Sequence, residues 1–217
     1  TQNLSKIENT QFSYLNGYDL NKNFEYLILG SINFHQTKVK INNVTFKRIY
    51  SEDAINIFRS NFEINNVHYE NIFSDAIDID FSDGNIKNAN FLNINNDAID
   101  FSGSNVNLEY ANFENIQDKI LSAGEDSKIS AKYINGYNSY AGIASKDGSE
   151  VHSEEIYFNG VKIPFAAYQK KNEYRFPSLD VKKYEVLNFL AHSVKDKTAK
   201  LMNNDKVMIM KSKDLIS

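Results

Sequence analysis

Three aspartates, Asp78, Asp80 and Asp100, are the residues of this sequence best suited to chemistry. Asp78 and Asp80 alternate with Ile77 and Ile79, so in a strand the isoleucines share one face and the acids point outward. Close carboxylates raise the pKa of one of them or recruit a cation. Glycoside hydrolases use a carboxyl group whose pKa is raised, beside a second carboxyl group that is ionised. The pattern therefore leaves three interpretations: catalytic acids, a Ca²⁺ site with Asp78 and Asp100 as ligands, or a solvated acidic face.

Three further residues could complete a site around these acids. Asn56 occupies the position of Asp78 in the preceding repeat. Lys119 is expected in the place of Ala98 one repeat later, pointing outward near Asp100. There it could bind the carboxylate of an acidic sugar, or form a plain surface salt bridge. Arg59 is a further basic candidate. We take Asn56, Lys119 and Arg59 as candidate substrate-binding residues.

The elements that position these side chains follow from a repeat. The tripeptide Asp-Ala-Ile occurs three times at a constant step of 22 residues, beginning at Asp53, Asp75 and Asp97. Its isoleucines begin a ladder of inward apolar residues, which Ile120 is expected to continue. A fixed period of this length indicates a solenoid. The aspartates of the tripeptide precede the strand, and we expect them to fix a corner by accepting backbone N–H groups.

The spacing within each repeat selects the type of solenoid. Apolar residues alternate with polar ones, as is typical of strands, and no repeat has room for a helix beside its strands. Three short strands per coil of about 22 residues predict an all-β fold, a parallel β-helix. A corner column of Asn71, Asn93 and Asn115 is expected to form a hydrogen-bonded ladder along the stack.

The domain organisation follows from where the repeat breaks. Residues 1–177 are predicted to form the β-helix, with an insertion near residues 16–30 that projects as a loop or covers a coil end. Residues 178–217 are predicted to form a C-terminal cap or extension of the same domain. Within that segment Lys206–Met210 alternates like a strand, and Ser193–Met202 could be a short helix instead.

Composition excludes several classes of function. The net charge of −4 and the pI of about 5.6 disfavour nucleic-acid binding, which usually needs a basic stripe. A mean hydropathy of −0.49 and the lack of a long apolar run argue against a membrane span. There is no cysteine, hence no disulfide or thiolate site. The first ladder begins within a repeat and without an initiator Met, so we expect a mature chain or one module of a larger protein.

Several segments resemble the right-handed parallel β-helix repeat proteins of bacteria, in the pectin-lyase-like superfamily. These segments are Ser74–Gly84, Asn96–Ser104, Asp118–Glu125, Gly142–Asp147 and Tyr168–Lys171. The resemblance implies a right-handed coil and an extracellular or cell-envelope location. The superfamily contains polysaccharide lyases, hydrolases and epimerases as well as non-catalytic surface and phage proteins. It carries no catalytic residues over to this chain.

Two alternative functions are therefore considered for the chain. In the first, the chain is a polysaccharide-associated module of an exported or cell-envelope protein, and a glycan is bound or processed on the strand face of Asp78, Asp80 and Asp100. In the second, the chain is a non-catalytic structural or display module of a larger surface protein. A deep, walled cleft over the acids would count against the second function, whereas a flat and open face would support it.

Overall fold

The protein is a parallel β-helix, as the repeat predicts. The computed structural model describes residues 3–16, 30–196 and 199–203. Within these ranges every element is a strand, and all strand pairing is parallel. No helix among the described residues is long and apolar enough to cross a membrane.

The strands form two sheets, one of long strands and one of short strands, and each coil contributes one strand to each sheet. The long-strand sheet contains β1 (Leu4–Ser13), β3 (Lys38–Ile49), β5 (Asn61–Ile72), β7 (Asp83–Ile94), β9 (Asn105–Ile116), β11 (Lys128–Tyr137), β13 (Glu150–Asn159), β15 (Ser178–Leu187) and β17 (Lys200–Asn203). The short-strand sheet contains β2 (Gly30–His35), β4 (Asp53–Phe58), β6 (Asp75–Asp80), β8 (Ile99–Ser102), β10 (Lys119–Gly124), β12 (Ala141–Lys146), β14 (Ile163–Tyr168) and β16 (Ser193–Lys195).

Each coil has two strands and not the predicted three. Two of the short strands expected from the sequence are joined into one long strand that bends at two left-handed residues. They are Asn43 and Arg48 in β3, Asn66 and Asn71 in β5, and Asn88 and Asn93 in β7, with φ between 52° and 57°. Asn tolerates this left-handed conformation better than most residues. The ladder of paired residues continues on both sides of each of them, because a left-handed residue bends the strand without ending the pairing.

The interior holds a continuous stack of aromatic rings. Phe46, Tyr69, Phe91 and Phe113 lie on successive long strands, with ring centroids 4.7, 5.0 and 4.7 Å apart and nearly parallel planes. These distances match the roughly 4.8 Å spacing of neighbouring strands. All four side chains are buried. Equivalent positions in the repeat therefore stack inside the coil and form its core.

Tyr69 is the one polar member of this stack, and it gives a stability prediction. Its hydroxyl oxygen is buried without a hydrogen-bond partner among the described residues, and burial raises the pKa of Tyr69. An unpaired buried polar group costs about 1–3 kcal/mol. We expect Tyr69→Phe to raise the free energy of unfolding by about 1 kcal/mol in urea titrations. The exposed Tyr110→Phe is the control, and a destabilised Tyr69→Phe would contradict the prediction.

Polar ladders run along two corners of the coil. Asn93 Nδ2 donates to Asn71 Oδ1 at 2.8 Å, and Asn115 Nδ2 donates to Asn93 Oδ1 at 2.9 Å, which confirms the predicted asparagine ladder. A second ladder was not predicted. It is made of buried serines, one in each of five successive coils: Ser60, Ser82, Ser104, Ser127 and Ser149. The backbone N–H of each serine donates to the Oγ of the serine one coil later, at 2.9–3.2 Å.

The ends of the chain extend the same ladders. Ile7 pairs with Ile41, 34 residues later, so the extra residues predicted in the first coil fall between them. Most of that insertion, residues 17–29, lies outside the described residues. At the other end, β13 pairs with β15 without a break across the division predicted at residue 178. The alternative of a helix over Ser193–Met202 is wrong, because β16 and β17 pair as strands there; Lys206–Met210 lies outside the described residues.

Candidate functional site

Six aspartates meet on the outer face of the short-strand sheet, and we call them the aspartate patch: Asp53, Asp75, Asp78, Asp80, Asp97 and Asp100. Strands β4, β6 and β8 carry five of them on three successive coils, and Asp97 lies just before β8. The sequence predicted that Asp78, Asp80 and Asp100 would share this face. It did not predict that the aspartates of the tripeptide join them.

The tripeptide itself explains the second column of acids. Ala54 and Ile55 are both fully buried, although they are consecutive. Two inward residues in succession break the alternation of the strand, so Asp53 faces the same side as Asn56. Strict alternation, which would have separated the two columns, therefore fails at the Ala-Ile step.

The tripeptide aspartates have the predicted corner role in two of three coils. Asp75 Oδ1 accepts the backbone N–H of Asp97 at 2.8 Å, and Asp97 Oδ1 accepts that of Lys119 at 2.9 Å. Asp53 differs. It is 2% exposed, and its Oδ2 has no hydrogen-bond partner in the described part of the chain. This oxygen is therefore buried without a donor to compensate a negative charge.

Asp78 and Asp80 form the centre of the patch. Asn56 Nδ2 donates to Asp78 Oδ2 at 2.9 Å and to Asp80 Oδ2 at 3.3 Å, which places this predicted binding residue in the site. The two carboxyl groups also hydrogen-bond to each other. Burial, followed by the charges of Asp80, Asp53 and Asp100, raises the pKa of Asp78 to about 9. The pair of Asp78 and Asp80 therefore keeps a proton more firmly than a free carboxyl group does.

The neighbouring acids also keep protons more firmly than usual. Burial, with the charges of Asp75 and Glu52, raises the pKa of Asp53 to about 8. Burial and the charge of Asp97 raise the pKa of Asp75 to about 7. Burial raises the pKa of Asp97 as well, although Lys119 opposes the shift. The patch is thus a partly neutral cluster of carboxylic acids at neutral pH, and its charge changes with pH.

The position of Lys119 differs from the prediction. Lys119 occupies the place of Asp97 one coil on, and Leu121, not its neighbour Ile120, pairs with Ile99. The prediction placed Lys119 opposite Ala98 because it shortened this coil by one residue. The structure keeps the step of 22 residues here, since the strand ladder continues without a slip.

The basic residues of the site are held by the protein's own acids. Lys119 Nζ contacts Asp97 Oδ1 at 3.1 Å and also contacts Asp118. Burial lowers the pKa of Lys119, but Asp97 and Asp118 outweigh burial and raise it overall. Lys146 Nζ lies 3.7 Å from Asp100 Oδ1. Lys119 is therefore not a free cation that awaits a substrate carboxylate.

Arg59 is not brought into the patch by its side chain. Its guanidinium lies over the ring of Phe58, 5.0 Å from the ring centroid, at an exposed corner. Only its backbone N–H reaches the neighbouring coil, where it donates to the carbonyl oxygen of Asp80 at 2.9 Å. Its role as a substrate-binding residue remains a prediction.

No grouping of three or more metal-ligating side chains is found over the described residues. Ca²⁺ binding by Asp78 and Asp100, considered from the sequence, therefore stays a prediction without a coordination site to support it.

Two grooves, of about 720 and 310 Å³, lie on the long-strand sheet, away from the patch. Lys38, Glu63 and Asn107 are among the residues of the larger groove, and His68 and Tyr137 are among those of the smaller. Neither groove includes a residue of the aspartate patch.

No family model matches the sequence, and no curated protein is similar to it. One solved structure with a similar fold is the catalytic domain of a GH87 alpha-1,3-glucanase in complex with nigerose, at a TM-score of 0.37 and 11% identity. The match covers 80% of this chain and 54% of that one, so the chain spans about half the length of the glucanase domain. A likeness at this level says nothing about the activity of this chain.

Proposed function

We propose that the aspartate patch binds a polysaccharide and cleaves it by acid–base chemistry, with Asp78 as the proton donor. The observation that carries the proposal is the environment of Asp78. Its pKa is raised to about 9 by burial and by neighbouring carboxyl groups, on a strand face. Glycoside hydrolysis needs one carboxyl group that keeps its proton next to another that can act as base or nucleophile.

Asp100 is the proposed second group. It lies directly opposite Asp78 on the next coil, and its side chain is 29% exposed beside the ammonium group of Lys146. Neighbouring strands are about 4.8 Å apart. This spacing is nearer to the roughly 5–5.5 Å between the carboxyl groups of retaining glycosidases than to the roughly 6.5–9.5 Å of inverting ones. Asp78 gives its proton to the glycosidic oxygen as the bond from that oxygen to the anomeric carbon breaks and Asp100 bonds to this carbon; the ionised Asp78 then takes a proton from the water that releases the sugar from Asp100.

The proposal predicts a loss of activity in a double variant. Asp78→Asn/Asp100→Asn should cleave at least about 100-fold more slowly than the parent, since general acid catalysis alone contributes roughly 10²–10⁴-fold. New reducing ends are measured on a panel of neutral and acidic polysaccharides. Glu109→Gln, an acid of the long-strand sheet paired with Lys87, is the matched control. A parent that neither cleaves nor binds any member of the panel would overturn the proposal.

The second candidate is a non-catalytic structural or display module of a larger surface protein. One observation favours it: the coil is stiffened by continuous asparagine, serine and aromatic ladders. An extracellular or cell-envelope location belongs to both candidates. Binding without cleavage in the panel assay, unaffected by the double variant, would favour this second function.

A further inference from the structure

An exposed phenylalanine borders the aspartate patch in an unusual backbone conformation. Phe81 follows Asp80 directly, its side chain is 52% exposed, and its φ is 48°. The same corner of the neighbouring coils carries Arg59 and Gly103, with φ of 47° and 61°. The coil thus requires left-handed backbone here, but it does not require an aromatic residue. Left-handed backbone is unfavourable for bulky side chains and far less so for Gly or Asn.

The ring of Phe81 is held in place by its neighbours. A Cβ atom on Gly103 would lie 2.7 Å from Phe81 Cδ1, so the ring rests on a glycine that leaves room for it. Phe58 meets the ring edge-on, with centroids 6.0 Å apart and planes at 86°. His35 in turn stacks on Phe58 at 5.1 Å. The ring therefore has a defined orientation although the residue is exposed to solvent.

We infer that Phe81 is a stacking platform for one sugar ring of a neutral polysaccharide, at the edge of the aspartate patch. The inference rests on the proposed function and adds a subsite to it. The C–H face of a pyranose is apolar and packs against aromatic rings. A ring that is already oriented loses little conformational entropy when it binds, which favours affinity. A sugar on Phe81 would extend along the strand face towards Asp80 and Asp78.

The charges around the platform favour a neutral sugar over a uronic acid. A sugar carboxylate would meet the acids of the patch. Among the described residues, the cations that pair with acids of the patch are already engaged: Lys119 contacts Asp97, and Lys146 lies near Asp100. The third cation, Arg59, packs on the face of Phe58. This differs from the acidic sugar that Lys119 suggested from the sequence alone.

The test uses two variants with the same chemical change at two corners. Phe81→Asn places a residue that tolerates left-handed backbone where the platform stands. Tyr110→Asn makes a matched change at another corner of the coil, where Tyr110 has a φ of 57° and is 46% exposed. Both variants should keep a melting temperature within about 4 °C of the parent. Phe81→Leu, which keeps an apolar side chain without the ring, is the second variant should Phe81→Asn fail to fold.

Affinity for neutral oligosaccharides is measured by calorimetry in the Asp78→Asn background, so that cleavage does not interfere. We expect Phe81→Asn and Phe81→Leu to raise the dissociation constant about tenfold. This factor corresponds to the loss of one aromatic contact whose energy lies at the upper end of the usual range for such contacts. Tyr110→Asn should bind like its parent. Saturation-transfer NMR should show contact between sugar C–H protons and aromatic protons, and this contact should decrease in Phe81→Asn.

The outcomes separate this inference from the proposed function. Unchanged affinity in Phe81→Asn, together with loss of cleavage in Asp78→Asn/Asp100→Asn, would overturn the platform and leave the acid–base proposal intact. Weakened binding in Phe81→Asn with no cleavage by the parent would support the platform and overturn the catalytic proposal. Binding only of acidic polysaccharides, or of none, would overturn the platform.

Discussion

Replacing Phe91 by Ala is expected to lower the free energy of unfolding by about 3–5 kcal/mol. Phe91 is 2% exposed and lies in the middle of the aromatic stack, with Tyr69 at 5.0 Å on one side and Phe113 at 4.7 Å on the other. Both ring contacts are lost together in the variant. The strands above and below are held at fixed spacing by backbone hydrogen bonds, so the coil cannot collapse into the cavity.

Urea titrations followed by circular dichroism measure this effect. Phe73→Ala is the matched control, because Phe73 is 61% exposed and only tilts against Tyr50 at 6.4 Å; it should cost about 0.5 kcal/mol or less. Coils of a solenoid contact only their neighbours, so Phe91→Ala should also lower the m-value if the stack melts in two parts. Equal costs for the two variants would contradict the prediction.

The stability of the protein is expected to fall as the pH rises from about 4 to about 9. The pKa of Asp53 is raised from 3.8 to about 8, and that of Asp78 from 3.8 to about 9, with burial as the main cause in both. Between those values the folded protein keeps protons that the unfolded chain has released. Each such proton lowers the free energy of unfolding by about 1.4 kcal/mol per pH unit. Below pH 3.8 both states are protonated, so these groups impose no penalty.

Asp53→Asn tests this pH dependence. An amide removes one buried acid whose Oδ2 has no partner among the described residues, so the variant should be more stable than the parent at pH 8 and should lose less stability between pH 5 and pH 8. Asp83→Asn is the control, since Asp83 is exposed and accepts a hydrogen bond from Asn105 at 2.6 Å. A parent whose urea midpoint is constant or rises over this pH range would show that the patch carries no extra protons.

Much of the fold could be predicted because residues at equivalent positions of a repeat stack on one another, so that counting along the sequence identifies the contacts between coils. Once Asp75 and Asp97 are known to be equivalent, the residues that follow them must also stack, and the asparagine ladder through Asn93 follows directly. The number of strands could not be counted in the same way. Whether a left-handed residue such as Asn66 ends a strand or only bends it depends on pairing with other coils.

The candidate site was predicted in part. Asp78, Asp80 and Asn56 meet as expected, because strict alternation holds over that part of the strand. Asp53 was assigned to a corner alone, although it also joins the patch. Lys119 was misplaced by one residue, and such a shift changes the partner of a side chain from Asp100 to Asp97.

The sequence by itself determined the period, the inward columns and the outward direction of Asp78, since all three depend on local spacing along one chain. Three features were decided only by the tertiary structure. They are the contact of Lys119 with Asp97, the set of carboxyl groups that are buried together, and the packing of the Phe81 ring on Gly103. The physical reason is that a protonated Asp78 or an oriented Phe81 ring depends on contacts between residues on neighbouring coils. Register, burial and shared protons exist only once those coils are stacked.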